Sequence, residues 1–264
     1  MRRLILILLL LLLAVLPSCQ WLSPWLRSLW PSPTASILPS NPPTISSPLA
    51  TGNVPPPGPV EPAEIDIGPA GTMRMALTFD AGADPGYTKE ILDICAKHKA
   101  PATFFLTGDW LEQNVEDARE MVLKGHALGN HCQTHLHLTP LEDEEVRSEL
   151  QQMEESCLRL VGHSTKPYFR APFGERDERI LRLAAQEGYW HIYWTLDSLD
   201  WEMGHSTDWV KERVLNRLQD GAILLFHVSS PYTFQILDDL LDQMELKGYR
   251  IVPLADFLPL PTTS

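Results

Sequence analysis

Basic side chains are scarce in this chain: 21 Lys and Arg stand against 34 Asp and Glu among 264 residues, a formal charge of −13. A surface of that sign repels polyanions, which excludes a nucleic-acid partner held by a basic patch. Cysteine is scarcer still, with four residues whose positions set no disulfide pairing. Long apolar runs are missing too. The run from Leu4 to Leu16 has thirteen residues, where a hydrocarbon core of about 30 Å needs about 20 at helical rise. Charge itself is nearly absent from the first 60 residues, which hold only Arg2, Arg3 and Arg27, so 18 basic and 34 acidic residues fall in the remaining 204. Two unlike segments are implied. What is present, 44% hydrophobic and 8% aromatic residues, suffices for a large core and excludes a fibre or a wholly disordered chain.

The first segment reads as an export signal. Arg2 and Arg3 form a basic start and the apolar run follows. It ends in Leu16-Pro17-Ser18-Cys19, which resembles the lipobox of bacterial lipoproteins, where the cysteine is lipidated; Pro17 is unusual in that box. The alternative is an ordinary secretory signal or an uncleaved anchor in which Cys19 is incidental. Either way the body of the protein is expected outside the cytoplasm. Trp21, Trp25 and Trp30 suit a membrane interface, each indole having an apolar body and one polar N–H. Twelve of the 23 prolines lie from Pro31 to Pro69, a composition expected to form an extended spacer, so residues 20–70 are read as a linker. With Cys19 lipidated, Cys95, Cys132 and Cys157 are an odd set, so at least one stays free or pairs between chains. The residues do not fix an oligomeric state.

From residue 71 to 264 short apolar runs alternate with helical ones, the rhythm of repeated βα units. Strands are expected at 73–79, 102–106, 127–130, 168–171, 190–196, 222–226 and 249–252, and helices at 87–98, 111–124, 141–160, 176–187, 207–219 and 233–247. The helix from Leu141 is the clearest: Val146, Leu150, Met153, Cys157 and Leu160 recur at steps of four and three, and Glu crowds the opposite face. About seven strands in a single α/β domain predict a small, distorted (β/α) barrel, with an open doubly wound sheet as the alternative. Either architecture places chemistry at the C-terminal ends of the strands.

Polar residues gather at five of those ends: Asp80-Ala81-Gly82, His131-Cys132-Gln133-Thr134-His135, Arg170-Ala171-Pro172-Phe173-Gly174, Asp197-Ser198-Leu199-Asp200-Trp201, and Leu225-Phe226-His227. His131 and His135 are four apart just past a strand, a spacing that lets two imidazoles converge on one divalent cation. In isolation the pair reads equally as two exposed loop histidines. His137 is read as surface.

In order, these segments resemble the five motifs of the NodB-type polysaccharide deacetylases, carbohydrate esterase family 4, over residues 73–258. The resemblance implies a distorted β/α barrel and a metal-dependent hydrolase that removes acetyl groups, mostly from N-acetylglucosamine polymers such as peptidoglycan or chitin-like chains. It implies a catalytic base at Asp80, held by Arg170, and a general acid at His227, charged and oriented by Asp200. It assigns His131 and His135 to the metal, most simply zinc, with cobalt or another first-row ion as alternatives. The main-chain N–H of Phe173 becomes an oxyanion donor, and Trp201 and Leu225 line the groove. The same residues serve plainer roles elsewhere: Asp80 as a helix cap, Arg170 as a surface ion pair, Trp201 and Leu225 as core.

One departure bears on the metal. The family's motif has a second aspartate where this chain has Ala81, and alanine ligates nothing. Three outcomes are open: the histidines hold the cation with water and substrate, Asp84 reaches in from the same loop, or the protein has lost catalysis and only binds glycans. The intact set Asp80, Arg170, Asp200 and His227 favours retained activity. An O-acetyl sugar esterase would use the same residues. Cys132, between the histidines, places a thiol where it is open to metal or oxidant.

Overall fold

The computed structural model describes residues 61–259 apart from Ala83. The signal segment, Cys19, Trp21, Trp25, Trp30 and most of the proline-rich stretch lie outside the described residues. The chain order is β1 (Glu64–Ile65), β2 (Arg74–Ala81), α1 (Thr88–His98), β3 (Ala102–Leu106), α2 (Gly108–Gln113), α3 (Val115–Leu123), β4 (Ala127–Asn130), α4 (Asp143–Leu160), β5 (Tyr168–Phe169), α5 (Glu178–Gln186), β6 (Trp190–Ile192), β7 (Leu196–Asp197), α6 (Thr207–Leu215), β8 (Ile223–His227), α7 (Pro231–Leu246) and β9 (Arg250–Ile251). The strands pair in parallel in the order β1-β6-β5-β4-β3-β2-β8-β7, with β9 added beside β2. This is the expected distorted (β/α) barrel, with nine strands among the described residues where about seven were expected.

Two expectations need correction. Residues 64–65 belong to the barrel, not to a linker. Glu64 pairs in register with His191, Ile67 bridges Ala222, and the Glu64 carboxylate is 2.7 Å from Arg176 Nε and 2.9 Å from His191 Nδ1. The expected strand at 190–196 is two strands, β6 beside the edge strand β1 and β7 at the other end of the sheet order. Tyr193 to Thr195 cross between them, the Tyr193 N–H donating to Ile65 O and the Thr195 N–H to Ile223 O. The helix expected at 111–124 likewise breaks at Asn114, whose side-chain amide donates to Trp110 O at 2.8 Å and replaces a helical bond.

Every residue of β2 from Met75 to Ala81 is buried, as a strand covered on both faces requires. Its pleat sorts them. Met75, Leu77, Phe79 and Ala81 enter the core beneath the helices, with Phe79 stacked on Phe104 at 5.0 Å. Ala76 joins the opposite core with Phe105, Ile223 and Leu254, so Thr78 and Asp80 share the inner face. Helix α4 buries Val146, Leu150, Met153 and Cys157 as its periodicity demands, and a capping box between Glu142 and Glu145 starts it.

Candidate active site

The strand ends open into one cleft of about 440 Å³, lined by residues from each of the five segments. Asp80 is 7% exposed, on the inner face of β2, with Oδ1 2.7 Å from Arg170 Nη1 and Oδ2 3.6 Å from His131 Nε2. Burial opposes its ionised form, but the charge of Arg170, aided by that of His227 and by the bond from Arg170, holds the carboxyl below its usual range. Arg170 is no surface ion pair. It is fully buried, its Nε donates to Ile192 O at 3.0 Å and its Nη2 to Tyr193 O at 3.3 Å, and its guanidinium lies 4.2 Å from the Phe105 ring centre. Both members of the pair are therefore fixed by groups around them.

His131 Nδ1 lies 2.8 Å from Arg170 O. A carbonyl only accepts, so Nδ1 carries the proton and Nε2 keeps a free lone pair toward the cleft. His135 follows with its ring 4.9 Å from that of His131 and inclined by 67°. Burial lowers the pKa of both rings, that of His135 to about 4, so two neutral imidazoles face the same space. Gly82 lies against them: a Cβ there would stand 3.1 Å from His135 Cδ2. This donor set fits a divalent cation held by two ring nitrogens. Among the described residues no third His, Cys, Asp or Glu completes a ligand group.

Asp84 does not fill that place. Its side chain is exposed and outside the cleft lining, and its main-chain carbonyl accepts from Trp110 Nε1 at 3.0 Å. The turn after it is tightly packed, with Gly86 (φ 51°) so close to Ser229 that a Cβ would come within 2.3 Å of its Cα. Cys132 is also reassigned. Its side chain packs with Val146, Leu150 and Phe169 in a buried core, and burial raises the thiol pKa well above its usual value, leaving an inert group.

His227 ends β8. Its Nδ1 lies 2.8 Å from Asp200 Oδ1 and its main-chain N–H donates to Asp200 Oδ2 at 2.9 Å, while the Thr233 hydroxyl donates to the same oxygen. Burial disfavours the imidazolium, but the bond and charge of Asp200, helped by Asp80 and Asp197, raise the pKa of His227. Asp80 and His227 are thus pushed toward opposite charge in one cleft.

Phe173 sits at φ 59° with its ring 58% exposed at the rim, stacked on His137 at 4.1 Å. His137 is a surface residue as expected, with Glu175 Oε2 2.9 Å from its Nδ1. Trp201 is 56% exposed on the lining, and Leu225 is both core and lining. Trp194, Asp197 and Ser229 line the cleft without having been assigned a role. The tandem aromatics Tyr193-Trp194, just past a strand, were the available signal for the first. Of the six non-glycine residues with positive φ among those described, Cys132, His135, Phe173 and Leu199 lie in the site loops. Each such conformation costs about 1–3 kcal/mol, and strain gathers where geometry serves function.

A family model described as polysaccharide deacetylase matches residues 68–192, ending before Asp200 and His227. A peptidoglycan-N-acetylglucosamine deacetylase of Bacillus cereus is 34% identical over 191 residues, covering 71% of this chain and 69% of its own. The structure of Bacillus subtilis PdaA, a family 4 carbohydrate esterase, superposes with a TM-score of 0.70 at 28% identity, covering 74% of this chain and 84% of the other. A family 4 pseudoenzyme from Bacillus anthracis superposes at 0.71 and 28% identity, covering 75% and 70%; a mutant of it is described as having restored enzymatic activity. The shared barrel, the ordered strand-end motifs and these likenesses have one reading: the chain belongs to the polysaccharide deacetylase family, the hydrolases of carbohydrate esterase family 4.

Proposed function

We propose that this chain removes acetyl groups from N-acetylglucosamine units of a cell-wall glycan, with peptidoglycan as its substrate. The observation that carries this reading is the pairing of two oppositely biased groups in one cleft, Asp80 held ionised by Arg170 and His227 held protonated by Asp200. Asp80 takes a proton from the attacking water. The Phe173 N–H donates to the oxygen on which charge develops. His227 gives its proton to the departing nitrogen while Asp200 keeps the ring aimed. His131 and His135 would hold the divalent cation, zinc or cobalt suiting their nitrogen donors, and once bound it supplies Lewis-acid polarisation of the acetyl group and the water. Phe173, Trp194 and Trp201 offer aromatic faces to sugar rings. No Lys or Arg lies among the lining residues, which favours an uncharged sugar at the centre over one bearing a carboxylate.

The same proposal places the protein outside the cytoplasm, tethered to a membrane through a lipid on Cys19 or through the apolar segment itself, with the proline-rich stretch as spacer. Radiolabelled palmitate incorporated by the wild type and lost in Cys19→Ala supports the lipid; equal labelling of both refutes it.

A second reading, a silent glycan-binding protein, is favoured by Ala81 and by the likeness to a pseudoenzyme. Acetate release from N-acetylglucosamine oligomers, with zinc or cobalt added, decides between them. Turnover that disappears in Asp80→Asn supports the deacetylase; binding of oligomers with no acetate under any metal leaves the second reading standing.

A further inference from the structure

Glu149 is a buried acid that the chemistry above does not use. It lies on α4 among the apolar residues Val146, Leu150 and Met153, is 8% exposed, and has no salt bridge to any described residue. Its carboxylate instead closes a fork on one residue. Oε2 accepts the Thr134 N–H and Oε1 the Thr134 hydroxyl, each at 2.8 Å.

Thr134 immediately precedes His135, and the loop they share works against ordinary backbone preference, with Cys132 at φ 68° and His135 at φ 58°. The earlier part of the loop is secured independently. The Gly108 N–H donates to Cys132 O, the Asp109 N–H to Gln133 O, and the Cys132 N–H to Asn130 Oδ1. Those anchors stop at Gln133. The fork from Glu149 fixes the next residue, and so the angle at which the chain enters His135. Burying a carboxylate on the apolar face of a helix is costly, and both its oxygens are spent on this loop.

We propose that Glu149 is a positioning residue that aims the His135 imidazole at the ring of His131, so that α4 sets the separation of the two nitrogen donors. The inference rests on the reading of those histidines as cation ligands. Its test is cobalt(II) binding to the whole chain, followed by visible absorption and titration calorimetry. Glu149→Ala is expected to weaken cobalt binding by roughly 10- to 100-fold, the usual effect of removing a group that orients a ligand. Glu149→Gln, which keeps an acceptor for the N–H and a donor for the hydroxyl oxygen, is expected to restore most of it. Met153→Ala, a core truncation on the same helix, is the control for plain destabilisation and should leave the affinity within about twofold. A Glu149→Ala protein that is folded and binds cobalt like the wild type overturns the proposal. Should the wild type bind neither cobalt nor zinc, the cation reading fails by itself, and imidazole ¹⁵N spectra of metal-free protein judge Glu149: its truncation must then move the His135 resonances and spare those of His191, and unmoved resonances overturn the proposal.

Discussion

At the scale of single residues, the site turns on which carboxylate serves which partner. Asp80→Asn removes the proton acceptor and should lower kcat by about 100- to 10,000-fold while leaving cobalt uptake near wild type; lost uptake would make Asp80 a ligand instead of a base. In the proposed chemistry His227 acts in its protonated form, so activity is expected to persist below its raised pKa and to fade as pH climbs through it. Asp200→Asn removes the main support of that charge, and the alkaline limb of the kcat profile should move to lower pH; an unmoved limb would assign it to another group. Ala81 is 1% exposed in the core beneath the helices. Ala81→Asp should therefore depress Tm, because a carboxylate buried there has no balancing charge, and added zinc should leave the loss unchanged. Recovery by zinc would mean that position 81 turns toward the cation instead of the core. That His131, His135, Asp80 and His227 meet in one cleft was readable in sequence because each stands at or just past a strand end. The burial of Cys132 was not, since a left-handed residue breaks the alternation by which faces are inferred.

Among elements, legibility followed length and apolar pattern. The run 102–106 and the start and stop of α4 were plain within two residues, because both bury regular apolar sets, while 127–130 was found with Leu128 as its buried apolar side chain. β1 was invisible: two residues long, flanked by prolines and opened by a glutamate, it carries no periodicity to detect. Its hold combines main-chain pairing to β6 with the side chain of Glu64. The close approach of His191, opposed by partial burial and aided by Arg176, lowers the Glu64 pKa from 4.5 to about 2. The folded value is depressed, so the stabilisation from Glu64 is complete above pH 4.5 and is lost as pH falls through about 2. Glu64→Gln should accordingly lower Tm at pH 7 and converge with wild type near pH 2. A gap that stayed constant with pH would show packing, not charge, to be what matters. A chain cut to begin at residue 71 is expected to melt below one that begins at residue 61, because it lacks this strand.

For the molecule as a whole, the negative charge and the cleft without Lys or Arg make an electrostatic statement. Long-range attraction plays no part in gathering an uncharged oligosaccharide. KM for neutral N-acetylglucosamine oligomers should change by less than about twofold as the Debye length falls from about 10 Å to about 3 Å with added salt; a steep salt dependence would point to an ionic group on the bound sugar. The global architecture was inferred from alternating periodicities, but not the way its ends meet, since no local pattern announces that Tyr193 to Thr195 pass from β6, beside one edge of the sheet, to β7 at the other. That crossing does two jobs at once: its main chain joins Ile65 to Ile223, and the carbonyls of Ile192 and Tyr193 clasp the guanidinium of Arg170. The seam of the ring is also the latch on Asp80, through Arg170. Any fluctuation that parts the seam frees Asp80 from its tether, so turnover in this protein is a gauge of whether the barrel is shut.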